Sequence, residues 1–408
     1  MKKIVGILSA AAVLATSVFA VDLAANVHMT ADVLSGDKDH VEFFELNKKL
    51  QQDDDALVLS ANLDNAGAQF QFWYEYDGSG DMALKVRSTS LWFKPIDMLK
   101  VTVGDIDVGI YKEMLHFYKD PNGHKVDLYK PSEWGGWAYY YNSYSGTAVA
   151  AGSGFLCELT PIDGLWIGLA LAAGAGTHSY PDWNSSDTAS IILTWADGTA
   201  DENKFKYREW GVGAKYDLNG LAGIPLSVGV SWRDTGKGNF KLLGIGADYG
   251  NRWAEGLYAM VNGRLRFNDV RNGEQKGSGT LDGVTIDNYF RYGVGAFEAQ
   301  LRAPVTIRLT GDDDDPSWLV WSAEVSYRLD GFTPYLLFGN DLNSVGAYDL
   351  SDKFGDTFGM QIQPGARFSV GACAIDAGVK LEIVSKKDNG NDNLGFKYSV
   401  PVTLDITF

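Results

Sequence analysis

The sequence predicts an all-β fold: a single transmembrane antiparallel β-barrel of about 18 strands, or 16 if two segments are cut differently. Three observations lead there. Strict alternation of apolar and polar residues recurs over stretches of ten or more residues. The stretches are joined alternately by short turns and by long polar connections. One face of nearly every stretch is apolar, yet no apolar run after the N-terminus is long enough for a helical span.

The chain begins MKKIVGILSAAAVLATSVFA, with two lysines, an apolar stretch and Val18-Phe19-Ala20 as a small-residue cleavage site. That order reads as a secretory signal peptide over residues 1–20, leaving 21–408 as one barrel domain. Its removal moves the formal charge from −17 to −19. Acidity of that size argues against a nucleic-acid partner. Two cysteines, Cys157 and Cys373, are too few for disulfides to hold an exported chain of this length, and they are expected as unpaired thiols.

The alternating segments follow in order. Residues 57–76 read as strand, cut into two in either of two places. LWFKPIDMLKVTVGD (91–105) reads as strand, tight turn, strand. In 255–268, Leu257, Ala259, Val261, Leu265 and Phe267 oppose Tyr258, Asn262, Arg264 and Arg266. In 297–310, Phe297, Ala299, Leu301, Val305, Ile307 and Leu309 oppose Glu298, Gln300, Arg302, Thr306 and Arg308. In 319–329, Leu319, Trp321, Ala323, Val325, Tyr327 and Leu329 oppose Ser322, Glu324, Ser326 and Arg328. Segments 357–371 and 374–385 place Gln361, Gln363, Arg367, Lys380 and Glu382 on the polar face. The last, LGFKYSVPVTLDITF (394–408), carries Lys397 on its polar face and ends on the aromatic Phe408.

Short turns are expected at 94–98, 160–164, 219–223, 251–256, 329–332 and 371–375. Long loops are expected at 35–56, 110–146, 176–203, 268–283, 311–317, 341–356 and 386–393. Turns on one side and loops on the other are the asymmetry of an outer-membrane barrel. A secreted sandwich or propeller would use shorter strands, about 5–6 residues, with polar outward faces.

Enzyme signatures are absent, and no cofactor is implied. The GxG pairs Gly211/Gly213, Gly244/Gly246 and Gly293/Gly295 lack a third glycine and a strand-to-helix context, and no G-x-S-x-G elbow occurs. The five histidines show no metal-ligand spacing. From residue 255 onward the polar face carries Arg264, Arg266, Arg302, Arg308, Arg328, Arg367, Lys380 and Lys397 beside Glu298, Glu324, Asp376, Glu382 and Asp405. The remaining acid sits in loops such as Asp53–Asp55 and Asp312–Asp315, read as solvated tips rather than cation sites. The aromatic patch EWGGWAYYYNSYSG (133–146) reads as an interfacial belt, with a stacking slide for sugar rings as the alternative.

The leader, the single run of amphipathic strands and the final strand ending in phenylalanine resemble bacterial outer-membrane porins, and the hairpin at 91–105 resembles those of spirochaetal porins. The resemblance implies passive diffusion of small hydrophilic solutes or ions through a barrel surrounded by membrane lipid, with selectivity set by radius and interior charge. It implies that Phe408 is read by the barrel-assembly machinery and that the assembly is a homotrimer. It also implies that loop 110–146 folds into the lumen, where Glu113, Asp120, Asp127 and Glu133 would face a basic wall. The alternatives are an adhesin or binding protein that uses the barrel as an anchor, and a barrel enzyme whose Ser/His/Asp set cannot be assembled here.

Overall fold

The computed structural model describes residues 21–37, 39–46, 56–76, 82–110, 148–172, 209–234, 240–252, 254–268, 281–303, 305–309, 318–319, 321–339, 348–349, 357–388 and 391–407. These residues form 23 segments of one antiparallel sheet and a single helical turn, α1 (Asn219–Ala222). The first part of the sheet comprises β1 (Val21–Asp37), β2 (Val41–Leu46), β3 (Ala56–Asn62), β4 (Ala66–Tyr76), β5 (Met82–Ile96), β6 (Leu99–Gly109), β7 (Ala148–Leu159) and β8 (Leu165–Ala172). Next come β9 (Glu209–Asp217), β10 (Leu226–Asp234), β11 (Phe240–Tyr249), β12 (Gly256–Asn268), β13 (Leu281–Val294), β14 (Phe297–Arg302) and β15 (Val305–Arg308). The remainder are β16 (Trp318–Leu319), β17 (Ser322–Tyr327), β18 (Phe332–Gly339), β19 (Tyr348–Asp349), β20 (Thr357–Val370), β21 (Cys373–Gly378), β22 (Lys380–Asp388) and β23 (Asn391–Thr407).

Pairing runs between neighbours from β3 to β14, and β23 pairs with β1 from Asn26↔Thr407 to Asp37↔Lys397. The segment count exceeds the expected 18 because several stretches are interrupted. β2 and β3 pair with successive parts of β1, and β14 and β15 with successive parts of β13. β21 and β22 both pair with β20, and the break lies opposite Pro364, which has no N–H to give the ladder. Only the Val379 N–H reaches across, donating to the Pro364 carbonyl at 2.9 Å. Two expected loops also carry strand: 35–56 contains β2, and 341–356 contains β19.

The ambiguous segments are cut at 63–65 and at 295–296. Gly295 takes φ 56° in the second of these turns, a conformation that favours glycine. Inside β6, Gly104 sits at φ 119° with its Cα against the Thr89 carbonyl, so no side chain would fit there.

Burial inverts the pattern of a water-soluble protein. Asp287 and Gln363 are fully buried, and Arg233, Arg264, Arg266, Arg291, Glu324, Asp376 and Glu382 are nearly so. Meanwhile Leu257, Val261, Val294 and Leu301 are exposed on the opposite side of the same strands. Forty large hydrophobic side chains are exposed among the described residues, far beyond the apolar patches that water-soluble monomers keep. No helix among the described residues is long and apolar enough to cross a membrane. A sheet with its charges inside and its aliphatic surface outside is matched to a hydrocarbon solvent.

Candidate functional site

Residues that share a lateral row across the strands meet on the polar side of the sheet. One row runs Gly211, Arg233, Leu242, Arg266, Gly283 and Arg308, so an arginine recurs on every second strand. The next runs Gly213, Ser231, Gly244, Arg264 and Thr285, where Arg264 Nη2 donates to Thr285 Oγ1 at 3.3 Å. Glycines and serine on β9 to β11 leave that stretch of wall nearly bare of side chains.

A second group sits on β17, β18, β20 and β21. Arg367 donates through both terminal nitrogens to Glu324, 2.7 Å each, and through Nε to Asp376 at 3.0 Å. The guanidinium lies 4.2 Å from the Tyr335 ring centroid, and the Tyr335 hydroxyl donates to Asp376 at 2.8 Å. Gln363 donates to the same hydroxyl at 3.1 Å. One arginine thus stands between two buried carboxylates, the arrangement that makes burial of either carboxylate tolerable.

A third group surrounds Glu298. It accepts from Arg291 at 2.6 Å and from Gln300 at 2.7 Å, while Arg291 also donates to the Ala254 carbonyl at 2.8 Å. Arg328 stands 4.0 Å away and is largely exposed, at the turn end of its strand. Lys380 and Glu382 form a close ion pair. Lys397 sits in register with Glu382 and is exposed.

Nearer the short turns, the Trp92 indole stands against Gly67, where an added Cβ would strike it. The ammonium groups of Lys94 and Lys100 lie 5.7 and 5.8 Å from the ring centroid. Lys100 pairs with Glu158 at 3.2 Å, and Glu158 accepts from Trp166 Nε1 at 3.1 Å. Trp166 in turn covers Gly168.

The chain also leaves the wall. Ile110, directly after β6, packs against Tyr258, Met260 and Tyr289 on β12 and β13, strands far from its own. At the other end of that connection, the Val149 carbonyl occupies the space beside Gly211, and its side chain lies over Gly213. The GxG pair at 211 and 213 is therefore a seat for a crossing chain.

Of the sequence-predicted residues, Arg264, Arg266, Glu298, Glu324, Arg367, Lys380 and Glu382 lie on the buried polar side. Arg302 and Arg308 stand in register opposite Tyr289 and Gly283. Glu113, Asp120, Asp127, Glu133, the 133–146 patch, the two aspartate runs, residues 1–20 and Phe408 lie outside the described residues. Sequence reasoning missed Arg233, Asp234, Asp287 and Arg291. Arg233, Asp287 and Arg291 have the period-2 signal, but in segments where a neighbouring polar residue on the other face or a long connection obscured the frame, and Asp234 breaks the alternation at the end of β10. It also passed over Trp92, Lys94, Lys100 and Trp166. Both cysteines are free, and among the described residues no group of metal-ligating side chains forms.

No protein-family model matches the chain, and no curated protein matches it. Solved structures do. The crystal structure of Pseudomonas aeruginosa OpdL is similar with a TM-score of 0.53 at 11% identity, covering 95% of this chain and 98% of that one. The outer membrane protein opdK of the same organism gives 0.51 at 10% identity, covering 95% and 99%. OccK2 (OpdF) in complex with glucuronate gives 0.51 at 11% identity, covering 95% and 98%. The likeness spans both chains nearly end to end and shows the fold, that of these three structures.

Proposed function

We propose that this chain is a passive outer-membrane porin of a diderm bacterium, exported through a cleaved leader at 1–20 and admitting small hydrophilic solutes or ions to the periplasm. The observation that carries the reading is the inverted burial, charge within and hydrocarbon side chains without. The 23 segments then read as 18 spans: β2 with β3, β14 with β15, β16 with β17, β18 with β19 and β21 with β22 each make one. The β1–β23 pairing supports closure of the ring, and an even number of spans would leave both ends of the barrel domain on the short-turn side. Arg264, Arg266, Arg302, Arg308, Arg367 and Lys380 line the bore in this reading, with Arg328 and Lys397 nearer its openings.

Inward packing of Ile110 and Val149 supports a connection 110–146 that crosses the lumen as a constriction, with Glu113, Asp120, Asp127 and Glu133 facing the arginine rows. Those rows favour small organic acids among the solutes, in keeping with the complex of OccK2 with glucuronate. Phe408 serves barrel assembly, and the working form is a trimer in this proposal. No covalent step or cofactor is needed. Purified protein in a planar bilayer should give stepwise conductance; a silent bilayer with folded protein would leave a plugged anchor and refute the channel.

A further inference from the structure

The ladders on either side of the β6–β7 hairpin end at one level. β5 pairs with β6 only from Ile96↔Leu99 to Ser90↔Gly104, and β7 with β8 only from Leu159↔Ile167 to Gly154↔Ala172. Gly104 and Gly154 face each other, and beyond them β6 and β7 stay paired as far as Gly109↔Ala148. This far half of the hairpin does not continue along the wall. Val149 comes to rest beside Gly211 on β9, in the row of Leu156 and Ala170, and packs with Ile106, Leu156, Ala170 and Trp166. The hairpin has therefore turned inward over β8 at the two glycines, and Gly104 takes φ 119° at the turning point.

β5 does not follow. It keeps its ladder with β4 as far as Tyr76↔Met82. Among the described residues, its other edge from Met82 to Ser88 has no strand beside it, and the Thr89 N–H donates to the Asp105 carboxylate at 2.9 Å in place of a backbone partner. Thr89 lies seven residues from Ile96 at the short turn, about 23 Å along the strand and about 18 Å in height at a tilt of about 40°. The split thus begins in the outer half of a hydrocarbon band about 25 Å tall. An open strand edge at that depth is tolerated only where protein covers it or water reaches it.

The geometry points to a lateral opening in the barrel wall between β5 and the inward-turned hairpin, through which an uncharged amphiphile passes between the bore and the outer leaflet. The hairpin flank of the split carries the apolar cluster of Ile106, Val149, Leu156, Ala170 and Trp166, in a sheet whose inner side is elsewhere charged. Asp105, Thr89 and the Ser88–Gln71 hydrogen bond of 3.0 Å supply polar groups at its foot. A hydrocarbon chain with one neutral polar head matches both. The inference rests on the channel reading and adds a second route to it.

The test uses the full chain in lipid bilayers, in a Cys157→Ser/Cys373→Ser background. By alternation with the exposed Leu91 and Phe93, Thr89 belongs to the outer face, as does the exposed Ile286, eight residues from the short-turn end of β13. A membrane-impermeant thiol reagent should label Thr89→Cys and leave Ile286→Cys unlabelled. 1-Decanol dissolved in the lipid should interrupt the single-channel current. Thr89→Trp should abolish those interruptions with the open conductance kept, and Ile286→Trp should keep both. Thr89→Cys labelled no faster than Ile286→Cys would show an edge sealed by protein or lipid and overturn the opening. Conducting channels that decanol never interrupts, or interruptions that survive Thr89→Trp, would overturn the passage; if Thr89→Trp gives no conductance, the labelling decides. Absence of conductance in the parent would bring down the channel reading itself, a failure distinct from a conducting channel with a sealed wall.

Discussion

Replacing Ile245 by arginine tests the inverted burial directly. Ile245 lies in the middle of β11, in register between Val230 on β10 and Gly263 on β12, and is 58% exposed. In water an exposed isoleucine-to-arginine change costs within about 0.5 kcal/mol. If hydrocarbon covers this face, arginine at mid-depth costs about 2–4 kcal/mol, which lowers the folding equilibrium roughly 30- to 900-fold. Tyr249, on the same face and 45% exposed, supplies the internal control. It lies four residues along the strand, about 13 Å at the usual rise. On a strand tilted by about 40° that is about 10 Å closer to the headgroups, where arginine costs about 0–1 kcal/mol. Equilibrium unfolding by guanidinium in lipid vesicles should therefore rank Ile245→Arg well below Tyr249→Arg, and Tyr249→Arg close to the parent. Equal, near-zero costs at both positions would refute a lipid-covered exterior, as would a parent protein that folds and stays soluble without detergent or lipid.

Arg367→Met leaves Glu324 and Asp376 buried without their shared cation, and should lower unfolding stability by about 3–5 kcal/mol; a Glu324→Gln/Arg367→Met double variant should recover part of the loss, and no change in the denaturation midpoint would count against the buried cluster. Gly211→Val collides with the Val149 carbonyl, so it should push the crossing chain into the bore and reduce single-channel conductance. Gly263→Ala, whose Cβ would meet only the Ile245 carbonyl at 3.6 Å, should leave conductance unchanged. Arg264→Glu with Arg266→Glu should move the reversal potential in a salt gradient toward cation preference, and an unmoved potential would remove these residues from the ion path.

The fold was legible because a bilayer imposes a period that survives on the page. Every span must hide its backbone in a ladder and show one face to lipid, so Leu257 to Phe267 and Phe297 to Leu309 announce their faces without any tertiary information. What was lost follows from what interrupts the period. Pro364 cannot donate to the ladder, and the unpaired step it leaves splits one expected strand into β21 and β22 without changing the register. Gln71 and Phe72 of β4 pair with Ser88 and Val86, so Arg87 is the extra residue of a bulge in β5 and shifts its frame by one residue. Alternation through Val86 and Leu91 then no longer identifies the inner face, which is how Trp92 and Lys94 escaped notice. The deeper limit concerns glycine. In sequence, Gly211 and Gly213 are an unfinished nucleotide motif or a weak point in a strand. Their meaning depends on Ile110 and Val149, which pack beside them from the end of β6 and from β7. A small residue reports only how near something comes, and what comes near is decided by long-range closure. Strand faces are local and readable. A contact such as Val149 against Gly211 belongs to two distant segments at once, so its meaning appears only when the sheet brings them together.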